Sequence, residues 1–91
     1  MLSSLLHGQN FSYKIKLQNV NTLPEAKYAT DPLRDLFKTY PIFNDSLDMF
    51  DFTSSEFSNE ADLIIYMNSK NYTVIFFSYE ALKPKERGGN K

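Results

Sequence analysis

Apolar and polar residues alternate most cleanly over residues 11–18. Phe11, Tyr13, Ile15 and Leu17 fall on one side there, and Ser12, Lys14, Lys16 and Gln18 on the other. A period of two marks a half-buried strand, and the outer face of this one is basic. A second β signal fills residues 61–82. Two runs rich in β-branched and aromatic residues, 63–67 and 72–79, flank the polar stretch Asn68-Ser69-Lys70-Asn71. Such a pair of runs around a short polar stretch predicts a C-terminal β-hairpin. The second run puts Tyr72, Val74, Phe76 and Ser78 on one face and Thr73, Ile75, Phe77 and Tyr79 on the other. Both faces are largely apolar, so a strand here needs cover on both sides.

Helical spacing appears between these signals. Thr22 and Glu25 have the spacing of a capping box, which opens a short helix through about Ala29. Asp31-Pro32 then offers an N-cap followed by proline at the first helical position. Leu33, Leu36, Phe37 and Tyr40 follow at i, i+3, i+4 and i+7, and Pro41 closes the helix. The pattern also allows the two pieces to join as one kinked helix. Leu2, Leu5 and Leu6 sit at helical spacing before Gly8, a turn of helix expected to lay three leucines on the core. Residues 42–60 have no clear period. Ile42-Phe43 can begin a strand, and residues 47–52 fit strand and helix about equally poorly. The strand is favoured because it completes a sheet of four. Thr53-Ser54-Ser55-Glu56 can cap a turn of helix carrying Phe57.

The expectation is therefore an α+β fold in one small domain over residues 1–82, followed by a basic tail over 83–91. Its antiparallel sheet has three strands, or four if 47–52 joins, with one main helix packed on one face and the hairpin at the C-terminus. With 91 residues the core must be used economically, and 8 Phe and 6 Tyr supply much of it. No apolar run approaches the ~20 residues of a membrane-spanning helix, so no membrane partner is expected. Cysteine is absent, which removes disulfides and thiolate chemistry. A cysteine-free domain of this size, lacking a signal-peptide pattern, is expected in the cytoplasm.

Catalytic hardware is sparse. His7 is the one histidine, near the end of the first leucine-bearing turn. No glycine lies between Gly8 and Gly88, which leaves no phosphate-cradling loop or nucleophile elbow. The turns must use asparagine instead. Asp45, Asp48 and Asp51 recur every three residues but lack the spacing and turn glycine of a calcium loop. A non-enzymatic protein without cofactor or metal is expected.

Charge is distributed unevenly. Residues 39–69 carry six acids and no base, between a first segment of net +2 and a last of net +3. In that acidic middle, carboxylates alternate with aromatics. The plain interpretation is a solvated connection that Leu47, Met49, Phe50 and Phe52 anchor to the core. The functional one is a docking surface for a basic protein partner, made by Asp45, Asp48, Phe50, Asp51, Phe52, Glu56 and Phe57 and extended by apolar sheet surface. Such a module would act as an inhibitor, adaptor or assembly subunit, with self-association a further option. The alternative is nucleic-acid binding by Lys14, Lys16, Lys83, Lys85 and Arg87. It ranks lower because NYTVIFFSY lacks the glycines of the RNA-binding strand signature. In its Asn, Phe, Tyr and Lys usage the chain resembles small accessory proteins of phages and mobile elements, a likeness of composition without a motif.

Overall fold

The structure, a computed structural model, describes residues 10–82. The N-terminal leucines, His7 and the tail 83–91 lie outside the described residues. In chain order come β1 (Asn10–Leu17), α1 (Leu23–Phe37), β2 (Phe43–Asn44), β3 (Met49–Ser54), α2 (Glu60–Ser69) and β4 (Val74–Leu82). The strands form one antiparallel sheet in the order β2-β3-β1-β4. Each helix thus connects two strands that have a third between them. That is the split βαβ unit used twice, the topology called ferredoxin-like. The scaffold hosts many functions and assigns none.

β1 lies at the centre and behaves as its alternation predicts. Tyr13, Ile15 and Leu17 are buried and Phe11 half-buried. Opposed residues in an antiparallel pair share a face, so the register places Phe52 beside Tyr13 and Phe50 beside Ile15 in the same layer. Leu33 and Phe37 of α1 and Leu63 and Met67 of α2 complete one core with them. Both helices therefore cover the same face of the sheet.

The capping box forms as expected: Glu25 N–H donates to Thr22 Oγ1 at 3.4 Å and Thr22 N–H to Glu25 Oε1 at 3.2 Å. The two helical pieces prove to be one helix, α1, with Asp31 and Pro32 in its interior rather than at a cap. The reason is the buried stripe Ala26, Ala29, Thr30, Leu33 and Phe37, which runs through the proline without a break. An interior proline costs about 3 kcal/mol. Burying two side chains such as Leu33 and Phe37 returns about 1.5–3 kcal/mol each, which is enough to offset it. The helix also ends before Tyr40. Lys38 takes a left-handed conformation (φ 58°) and donates its N–H to Arg34 O at 2.8 Å, which leaves Tyr40 exposed and Leu36 half-buried.

The expected hairpin is not formed. Residues 63–67 belong to α2, so the C-terminus is helix then strand, and two helices rather than one main helix cover the sheet. Asn59 caps α2 by accepting Asp62 N–H at 2.8 Å. Glu60 and Asp62 place negative charge at the positive end of the helix dipole. Leu63 and Met67, at i and i+4, are fully buried. Capping and burial thus override the β preference of Ile64 and Ile65, which is a weak prior. The polar stretch 68–71 closes the helix. Lys70 and Tyr72 N–H both reach Met67 O at 2.9 Å, and Asn71 takes φ 72°.

Residues 43–58 also settle into definite places. β2 and β3 pair through a turn in which Asp48 has φ 55°, so the strand begins at Met49 and Leu47 is an exposed turn residue. Thr53-Ser54-Ser55-Glu56 caps no helix. Instead Ser54 Oγ donates to Phe37 O at 2.6 Å and accepts Glu56 N–H at 3.0 Å. Tyr13 Oη donates to Glu56 O at 2.7 Å and accepts Ser58 N–H at 3.3 Å. One tyrosine on β1 thereby ties down the connection into α2.

Candidate functional site

β4 is an edge strand, and its surroundings set it apart from the rest of the molecule. Among the described residues, no strand pairs with its outer side, while β1 pairs with its inner side along nearly its whole length. The register shifts between Lys16 and Leu17, which leaves Ile75 as an extra residue opposite no partner. That bulge breaks the simple alternation: Val74 opposes Leu17 on the helix-covered face, together with Phe77 opposite Ile15 and Tyr79 opposite Tyr13. Phe76 opposes Lys16 and points to the open face. Ile75 remains 53% exposed, Phe76 44% and Tyr79 48%. Phe57 joins them from the loop before α2, its ring 5.1 Å from those of Phe11 and Tyr79. Glu80 is the one charged residue of the strand.

The acidic-aromatic segment does not form a single surface. Phe50 and Phe52 are buried in the core between sheet and helices and so are not contact residues, a correction to the docking set expected from sequence. Asp45 and Asp48 lie in the β2–β3 turn, at the edge opposite β4. Asp51 is on the open face, its carboxylate 3.4 Å from Lys14 Nζ. Glu56 is exposed in the loop that Tyr13 and Ser54 hold. Of the expected set, Phe57 is the residue brought against β4.

The open face is mixed rather than basic. Lys14 faces Asp51, and Lys16 Nζ donates to Asp48 O at 3.2 Å and Leu47 O at 3.4 Å. The two central strands present Ser12, Lys14, Lys16, Met49, Asp51 and Thr53 there, none of them aromatic, and Phe76 of β4 stands beside Lys16 at the edge. Lys83, Lys85 and Arg87 lie outside the described residues.

Elsewhere, a shallow hollow of about 310 Å³ opens between α1 and residues 40–43, lined by Leu23, Lys27, Tyr40 and Ile42 among others. It sits at the small end of the range for ligand pockets and gathers a single charged group. Among the described residues no group of three or more acids or histidines could hold a metal ion, and no helix is long and apolar enough to cross a membrane. The Tyr13 phenol is pushed up from its ordinary range chiefly by burial, against the opposing Ser58 N–H. Its hydrogen bonds are structural. Comparison with protein-family models, with curated proteins and with solved structures gave no match.

Sequence reasoning found the two-sided apolarity of β4 but missed that, among the described residues, it stands at the edge of the sheet. A hairpin would have placed residues 63–67 alongside β4 and covered it. Asn59, acidic residues in the next turn and Leu63/Met67 at i, i+4 were the signals that those residues are a helix.

Proposed function

We propose that the chain is a non-enzymatic protein-binding module whose docking element is the outer edge of β4. One observation supports this above the rest: a nine-residue edge strand carries half-exposed Ile75, Phe76 and Tyr79 and a single charge. Natural sheets blunt their edges with lysine, proline, bulges or covering segments. β4 has one bulge near its start, which leaves residues 76–81 regular. Such an edge offers a partner strand main-chain hydrogen bonds for affinity and side-chain contacts on both faces for specificity. The acidic turn at Asp45 and Asp48 lies too far across the sheet to share that contact, which leaves it a role only in steering approach.

The test is capture of partners from native lysate by the tagged full chain, run beside Ile75→Lys and beside the double variant Asp45→Lys/Asp48→Lys. With β4 as the docking edge, a protein partner is held by wild type and by the double variant and lost by Ile75→Lys. Retention by Ile75→Lys with loss in the double variant would overturn the proposal and move docking to the acidic turn.

A further inference from the structure

We infer that the strand paired with β4 is β4 of a second copy, antiparallel about a two-fold axis at Ser78; this rests on the docking edge proposed above. A partner strand must present apolar groups on both of its faces, because Phe76 points to the open face while Phe77 and Tyr79 point to the helix-covered face. β4 is itself such a strand. Among the described residues no strand pairs with its outer side over residues 76–81, and a two-fold axis is the commonest symmetry of a homo-oligomer.

The register follows from the pleat. Opposed residues must share a face, so a two-fold contact pairs residues an even number apart. With Ser78 on the axis, the smallest side chain of the central run meets its own copy. Phe77 then lies opposite the second copy's Tyr79, an aromatic cross-strand pair made twice, and Phe76 lies opposite its Glu80. The charges agree with this arrangement. The two Glu80 residues are displaced along the strands by four positions, about 13 Å at the rise of a strand, beyond the ~8 Å screening length at physiological salt. The bulge at Ile75 falls outside the central run.

The exposed area sets the strength. Ile75, Phe76 and Tyr79 each leave about half of the side chain bare, roughly 100 Å² apiece for groups of this size. That is about 300 Å² per copy from three side chains, against the ~800 Å² per partner of a standard stable interface. Strand backbone and flanking atoms add to it, and a dimer dissociating in the micromolar range is expected.

Sedimentation equilibrium of the full chain from nanomolar to high micromolar concentration tests the inference, on wild type, Ile75→Lys, Phe76→Thr and Ile65→Lys. Phe76→Thr keeps β preference while removing apolar area. Ile65→Lys changes a still more exposed residue on the side of α2 away from the core, off the edge. Circular dichroism confirms that each variant is folded. A wild-type dimer weakened about tenfold by both β4 variants and unaltered by Ile65→Lys is the result expected. A wild type that stays monomeric, yet captures a different protein that Ile75→Lys loses, overturns the second copy and leaves the docking edge standing. A dimer indifferent to both β4 variants, with partner capture equally indifferent, overturns both.

Discussion

Replacing Tyr13 by Phe removes one oxygen from the centre of the fold and leaves the ring in place. That ring lies 4.5 Å from Phe37 and 5.6 Å from Phe52, centroid to centroid, and the substitution preserves these contacts. The oxygen has two hydrogen bonds, to Glu56 O at 2.7 Å and from Ser58 N–H at 3.3 Å. Without it, the Ser58 N–H loses its partner at a buried position and the Glu56 carbonyl loses its partner at a half-buried one, both at the approach to α2. The loss is expected at about 1–3 kcal/mol. For a domain of this size each kcal/mol moves the melting temperature by roughly 4–8 °C, so a fall of about 10 °C is a fair expectation. Urea unfolding and calorimetry would read it, with Tyr28→Phe, at an exposed surface position, as the control. A pH series adds a second readout. Burial raises the Tyr13 pKa above its ordinary 10.0, so the folded chain holds that proton more tightly than the unfolded chain does. The resulting stability is present in full below that pH and is lost as pH climbs toward the raised value. Tyr13→Phe should lack this part of the alkaline decline. A variant within about 0.5 kcal/mol of wild type, small against the net value of even one ordinary hydrogen bond, would refute the view that Tyr13 pins the connection.

Three further outcomes are expected. Leu63→Ala and Met67→Ala should each cost about 2–5 kcal/mol while Ile65→Ala is nearly silent in urea unfolding; equal losses at 63, 65 and 67 would instead mean one face of a strand. Lys38→Gly should stabilise by a few tenths to about 1 kcal/mol, because Lys38 ends α1 at φ 58°, where glycine carries no Cβ penalty, and an unchanged denaturation midpoint would count against that conformation. Asp51→Lys places a like charge directly opposite Lys14; both side chains are partly exposed, so the cost should stay under about 1 kcal/mol and shrink with added salt, and a salt-independent loss would contradict a surface pair.

How far the sequence foretold the fold depends on which force decided each element. β1 was legible because an eight-residue alternation has one sensible burial. The Thr22/Glu25 box was legible because capping is local. The α+β class held, and the segment near 47–52 does supply a strand, although the fourth strand of the sheet is β2 rather than residues 63–67. Pro32 misled, since a local helix-starting signal yielded to a buried stripe visible only once Ala26 and Phe37 are known to face the same sheet. Residues 63–67 misled for a related reason: β-branched composition suggested strand, whereas Asn59 and the need to bury Leu63 and Met67 together made a helix. That error hid the place of β4 at the edge of the described sheet. Separately, the lack of a clear period over residues 42–60 made the acidic-aromatic segment look like one surface, when the β period of Phe50 and Phe52 sends both into the core and leaves their acidic neighbours on separate faces and turns.

Amide hydrogen exchange on the full chain tests the central claim most directly, measured dilute, concentrated and with any partner that the wild type captures. If β4 is the docking edge, its outward-facing amides between residues 76 and 81 exchange quickly in the isolated chain. They become protected on association, while the turn around Asp45 and Asp48 keeps its rate. Association that protects the acidic turn and leaves β4 exchanging as before would contradict it.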